Sequence, residues 1–218
     1  MATRRGTDVR RLVLDAAAAA TALLADPRVA VRWCHPSGCD GWSVGAVAAH
    51  LARALVDIEH RLSRASGRDG PSRSAEGVTA GAYCAALPRG GAAGSAGPDA
   101  DRERSTATAA ALGPSGVQAE ARASLSALCA RLPGEPAGRV LAPMGLTMSL
   151  DEYLRACLVE ICVRAEDLAL SLDGDVPPLP DDAVRGAVDV LVDSAVHRQV
   201  LILRPHAAWD RADVLSPL

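Results

Sequence analysis

The chain has no phenylalanine and no lysine, and aromatic residues make up only 2% of its 218 positions. A core without large aromatics must be filled by Leu, Val and Ala, which favours helix packing; a sheet would draw on more Tyr, Phe, Ile and Thr. No apolar run reaches the ~20 residues needed to span a membrane. Nor is there an excess of positive charge. The net charge is -3 and the pI is near 5.9, so no basic face is available to displace counterions from a nucleic acid. The six cysteines include no pair of CxxC motifs and read as buried, reduced thiols. Cys34, His35 and Cys39 form half a metal site with no second half, and His35, His60, His197 and His206 show no paired spacing. No GxSxG marks a nucleophile, and the Gly-rich stretches lack the strand and helix context of a phosphate cradle.

What is present is helical periodicity. Hydrophobic residues make up 49% and charged residues 22%, as in a folded globule, and the length suits one domain over 1–218. A first helix is predicted from an N-cap at Thr7 to Ala25, where Asp26-Pro27 stops it. Arginine pairs before its Ala-rich run imitate a secretion signal, but Asp8 and Asp15 interrupt it; the expected location is cytoplasmic. After a loop rich in Gly, Pro and Cys, Ser43 caps a second helix with Val44, Val47, Leu51, Leu55, Ile58 and Leu62 in one stripe. Residues 66–98 turn to Gly, Ser, Ala and Arg and read as a long flexible connection with a short helical piece at Tyr83–Leu87. A third helix follows over Val117–Leu132, then an extended crossover at Val140–Met148. Ser149 caps a fourth helix to Leu172, with Glu152 at the capping-box position and Asp173-Gly174 as its stop. A fifth helix, Asp181–Leu203, opens a C-terminal extension over 181–218. The fold class is all-α, an up-down helical bundle.

The fourth helix carries the chemistry. Leu154, Leu158, Ile161, Ala165, Leu168 and Leu172 form its core stripe, and Val159, Val163 and Leu170 a second apolar strip. Between them lie Tyr153, Cys157, Glu160, Arg164 and Asp167. Apolar flanks on both sides bury such a row, and a buried carboxylate needs a cation or a metal, so Glu160 must have a partner. Arg164, four residues on, supplies one structurally. His50 lies on the shoulder of the second helix's stripe, near Asp57, where a lone histidine is more often a hydrogen-bonded structural residue than a ligand.

Two segments resemble a known family. Cys39-Asp40-Gly41-Trp42-Ser43-Val44-Gly45 with Val47-Ala48-Ala49-His50-Leu51 is similar to the CxGWxVxxxxxHL signature of the mycothiol-dependent maleylpyruvate isomerases, within the DinB-like superfamily. Leu158 to Ala169, preceded by Met148 to Leu154, is similar to that family's second signature, ELxxHxxDLA. The resemblance implies a DinB-like bundle holding a divalent metal, typically zinc, on a His of the second helix and a Glu and His one turn apart on the fourth. His50 matches the first ligand and Glu160 the second. At the third stands Arg164, whose guanidinium has no free lone pair for a metal. Two ligands beside a fixed cation make a poor site, with Cys157 as a substitute only after rearrangement; an Arg164→His change would restore the third. The family's larger members add a C-terminal α/β domain, for which too few residues follow the fourth helix.

The resemblance therefore implies a small-molecule enzyme, an isomerase or thiol-dependent transferase, using mycothiol or another low-molecular-weight thiol with an impaired or metal-free site. His50 would be general acid or base, Glu160 would orient, and Arg164 would hold an anionic substrate or an oxyanion, with Trp42, Tyr153, Cys157 and Asp167 lining the pocket. The other reading is a non-catalytic binding module in which His50, Glu160 and Arg164 only hold the bundle together. The chain would act as a monomer or homodimer.

Overall fold

The computed structural model describes residues 8–64, 77–87, 97–136, 138–174 and 179–203. Most of the expected flexible connection, and the chain after Leu203, lie outside them. Seven helices and one two-stranded hairpin are formed among the described residues: α1 (Val9–Leu24), α2 (Pro27–Val31), α3 (Val44–Arg64), α4 (Ala80–Ala86), α5 (Pro98–Arg131), β1 (Val140–Leu141), β2 (Met148–Ser149), α6 (Leu150–Leu170) and α7 (Asp181–Leu203). The class is all-α, as the aromatic-poor composition implied. α3 packs along α5 and α6, α1 along α6 and α5, and α4 lies against α7 and α6. The core is the expected Leu, Val and Ala set, including Val44, Val47, Leu51, Leu55, Ile58 and Leu62 of α3 and Leu154, Leu158, Ile161 and Leu168 of α6.

Several ends differ from expectation, each for a local reason. Asp8 caps α1, accepting from the Arg10 N–H at 3.1 Å. Asp26-Pro27 does stop α1, but it also starts α2: Asp26 accepts from the Arg28 N–H, and Pro27 suits a first helical turn where no N–H is needed. Ser43 and Ser149 cap α3 and α6 as read, accepting from the N–H groups of Ala46 and Glu152. Glu152 does not close a capping box. Its carboxylate reaches across to the Ala80 N–H at 2.7 Å and caps α4, with Thr79 taking the Ala82 N–H. The crossover at Val140–Met148 pairs as the antiparallel β1–β2 hairpin. Asp173 and Gly174, both at positive φ, end α6. The second apolar strip of α6 is not a buried face: Val159 is buried, but Val163 and Leu170 are exposed.

The largest departure is α5. It begins at Pro98, well before the predicted Val117, and bends at Gly113, whose φ of 62° and ψ of -178° are followed by Pro114. Its N-terminal arm has a buried stripe after all, but the stripe is Asp101, Ser105 and Ala109, four residues apart. A cleft of about 670 Å³, including its open mouth, lies between this arm and α3, lined by Ala49, Ala52, Val56, Thr108, Ala111 and Leu112 among others. At the far end of α5, Glu135 accepts from Arg131 Nε at 2.7 Å and from Arg139, and both arginines donate to the Leu62 carbonyl that ends α3's core stripe.

Candidate functional site

α3 brings His50 and Arg53 to the face of α6 that carries Glu160, and the N-terminal arm of α5 adds Asp101 and Ser105. His50 is buried, 1% exposed in its side chain. Its Nε2 lies 2.8 Å from Glu160 Oε1, and its Nδ1 lies 3.1 Å from Ser105 Oγ and 3.1 Å from Arg53 Nη2. Arg53 Nη2 also donates to Asp101 Oδ1 at 2.9 Å, and Asp101 is itself buried. The Trp42 ring meets the His50 ring edge to face, centroids 5.3 Å apart. Trp42 sits at the end of a loop tied by Ser37, and α3 approaches the loop so closely that a Cβ on Gly45 would fall 2.7 Å from the Trp33 ring.

The charged row of α6 is partly buried, although of its two apolar flanks the second is largely exposed. Glu160 Oε1 accepts a second hydrogen bond from Arg164 Nε at 3.1 Å, and Arg164 Nη1 donates to Asp167 Oδ2 at 2.9 Å. Burial would raise the Glu160 carboxyl, but the His50 hydrogen bond and the Arg164 charge outweigh it and hold it below the usual carboxylate value. Burial works against the Arg164 cation, and Glu160 more than restores it. Cys39 reaches the same end of the row, where burial and the Asp167 carboxylate push its thiol up.

On the other side of Glu160 a narrow cleft opens, about 380 Å³ including its mouth, walled by His50, Arg53, Ala54, Asp57, Tyr153, Cys157 and Glu160. Arg164, Asp167 and Trp42 are not among its walls. Burial pushes the Cys157 thiol up to about 12, and the Tyr153 hydroxyl well above its ordinary value with Cys157 adding to the effect. The Arg61 guanidinium lies 5.6 Å from the Tyr153 ring centroid. Arg53 Nη1 is buried with no hydrogen-bond partner among the described residues.

Of the residues the sequence singled out, His50, Glu160, Arg164 and Asp167 form one bonded chain, Tyr153 and Cys157 line the cleft, and Trp42 supports His50. Arg53, Asp101 and Ser105 were missed. Arg53 was within reach, since it stands one turn after His50 on the same helix face. Asp101 and Ser105 lay in a stretch without apolar periodicity.

The family model described as the mycothiol maleylpyruvate isomerase N-terminal domain matches residues 13–169, well over half of the chain. The chain belongs to this family. Comparison with curated proteins and with solved structures returns no match. Within the family chain the metal expected from the signature does not fit the residues present. Glu160 Oε1 is taken by two donors, the third ligand position holds a guanidinium, and no three His, Cys, Asp or Glu among the described residues are grouped to hold an ion. No described helix is long and apolar enough to cross a membrane.

Proposed function

We propose that this family member is a thiol-dependent isomerase or transferase for small anionic substrates that works through its own side chains, with mycothiol or another low-molecular-weight thiol as nucleophile. The observation that carries this is the His50–Glu160 pair at the wall of a cleft, joined there by Arg53, Tyr153 and Cys157. Burial raises the Cys157 thiol to about 12, which makes it a poor nucleophile near neutral pH and leaves that role in this reading to a free thiol. For a conjugated cis acid, the thiolate sulfur bonds to an alkene carbon and the π pair moves onto the conjugated carbonyl oxygen. The resulting single bond rotates. Return of the pair restores the alkene as the C–S bond breaks and thiolate leaves, with no net proton or electron change. Tyr153, kept neutral by burial, donates to the enolate oxygen, and Arg53 supplies the positive charge in the cleft. Arg164, engaged by Glu160 and Asp167, keeps Glu160 ionised.

Glu160, held below the ordinary carboxylate value, is a weak base toward a thiol of pKa about 8.5. Turnover is therefore expected to follow the thiol's own ionisation. With maleylpyruvate and mycothiol, the rate should rise about tenfold per pH unit below the thiol pKa and level off above it. A rate flat across neutral pH would mean that the protein activates the thiol, and the proposal would be wrong. A specific observation favours a second reading, a non-catalytic binding module: each carboxylate of the row is already paired within the chain, Glu160 and Asp167 with Arg164 and Asp101 with Arg53 and Arg104. Thiol-dependent turnover no greater than that of a His50→Ala, Glu160→Ala double variant would select the module.

A further inference from the structure

The family resemblance puts the mismatch with a metal site at one position, Arg164, and the hydrogen bonds around His50 put a second at Arg53. Arg53 Nη2 carries two hydrogens and has two partners, Asp101 Oδ1 at 2.9 Å and His50 Nδ1 at 3.1 Å. A guanidinium donates only, so the His50 Nδ1 facing it must present its lone pair. Ser105 Oγ, 3.1 Å from the same nitrogen, can either donate to it or accept from it, so Arg53 is the contact that decides. The imidazole proton then sits on Nε2, where the ionised Glu160 accepts it at 2.8 Å. We infer that Arg53 is a positioning residue that locks His50 in the Nε2–H tautomer and so closes both of its nitrogens to a metal ion.

In a histidine that ligates metal, one nitrogen gives its lone pair to the ion while the other donates its N–H to an acceptor behind it. Here the order is reversed. For Nε2 to bind a cation its proton must move to Nδ1, where Ser105 Oγ could accept it but the positive Arg53 guanidinium, 3.1 Å away and unable to accept, opposes it. Binding at Nδ1 would instead displace Arg53 and Ser105 from a position in which Arg53 is pinned by the buried Asp101. Arg164→His therefore supplies a third donor but leaves the first turned the wrong way. Arg53→Gln offers a neutral side chain whose carbonyl can accept from Nδ1–H. This inference rests on hydrogen-bond geometry and not on turnover, so it stands or falls separately from the thiol reaction.

The test has two parts. In the wild-type chain labelled with nitrogen-15 at histidine, the resonance lost in His50→Gln should show a protonated Nε2 and an unprotonated Nδ1. In Arg53→Gln the tautomer populations should move toward Nδ1–H. A wild-type His50 protonated at Nδ1 overturns the inference without any need for the other variants. Zinc titration should then give Arg164→His weak binding and the Arg53→Gln, Arg164→His double variant binding at least tenfold tighter, the scale on which outer-shell partners act. Equal zinc affinity of the single and double variants, with both folded by circular dichroism, overturns it as well.

Discussion

Glu160 serves two donors through one oxygen, and its removal should be felt in the stability of the fold. Glu160→Gln leaves the partly buried Arg164 guanidinium with a weaker partner and replaces the charged acceptor of His50. A loss of about 1–3 kcal/mol is expected in denaturant unfolding. The pH dependence follows from the direction of the shift. Glu160 titrates lower in the folded chain than in the unfolded one, so its stabilising contribution is fully present above the unfolded value of about 4.3 and is lost as the pH falls through the folded value. The stability difference between wild type and Glu160→Gln should therefore shrink on acidification below pH 4. A difference that grows there would mean that the carboxyl is not held ionised by His50 and Arg164.

Among the elements, α5 is where sequence and structure part most. The stripes of α3 and α6 were legible because their buried positions are Leu, Val and Ile at helical spacing, and the caps Ser43 and Ser149 follow from residue type alone. The first arm of α5 buries Asp101 and Ser105 toward His50 and Arg53, and a polar inward face gives no hydrophobic period to read. At Gly113-Pro114 the chain bends and continues as helix, ahead of the Val117 start expected from the apolar pattern. In the site, His50 and Glu160 were legible from the family signatures and the Arg164 partner from its spacing; the Arg53–Asp101 pair spans 48 residues and carries no local signal. Gly113 adopts a combination of φ and ψ open almost only to glycine. Gly113→Ala should cost about 1–3 kcal/mol and, because the first arm holds Ser105 and Asp101, should also disturb the His50 nitrogen resonances. Unchanged thermal unfolding in that variant would show the bend to be relaxed easily.

At the scale of the whole molecule the six thiols report how tightly the bundle closes. All are free; Cys34 and Cys129 are exposed, Cys39 and Cys84 intermediate, and Cys157 and Cys162 buried. Burial raises Cys84 and Cys162 to about 11 and Cys157 to about 12, which suppresses the reactive thiolate as well as access. Alkylation of the native chain followed by mass spectrometry should modify Cys34 and Cys129 first and Cys157 only with unfolding. Labelling of Cys157 as fast as Cys34 would reveal a cleft that opens widely on the timescale of the reaction. Protection of Cys157 by a thiol ligand in that experiment would place the ligand beside Tyr153 and Glu160.

The pairing of α3 with the first arm of α5 raises a question of alignment. The facing surfaces are small, with Ala49 and Ala52 on one helix and Ala109 and Ala111 on the other, and a cleft runs between them. Where alanines face a cleft between the helices, few interlocked side chains resist one helix sliding along the other, Val56 and Leu112 being the larger apolar groups there. The Arg53–Asp101 bond works there as an index pin. A slip of one helical turn, about 5.4 Å, would bring Ser105 opposite Arg53 and part the buried Asp101 carboxylate from Arg53, with Arg104 of its own helix 3.6 Å away, at a greater cost than a rearrangement of small apolar contacts. The same bond that orients His50 thus also selects one alignment of two helices from several that their apolar faces would accept.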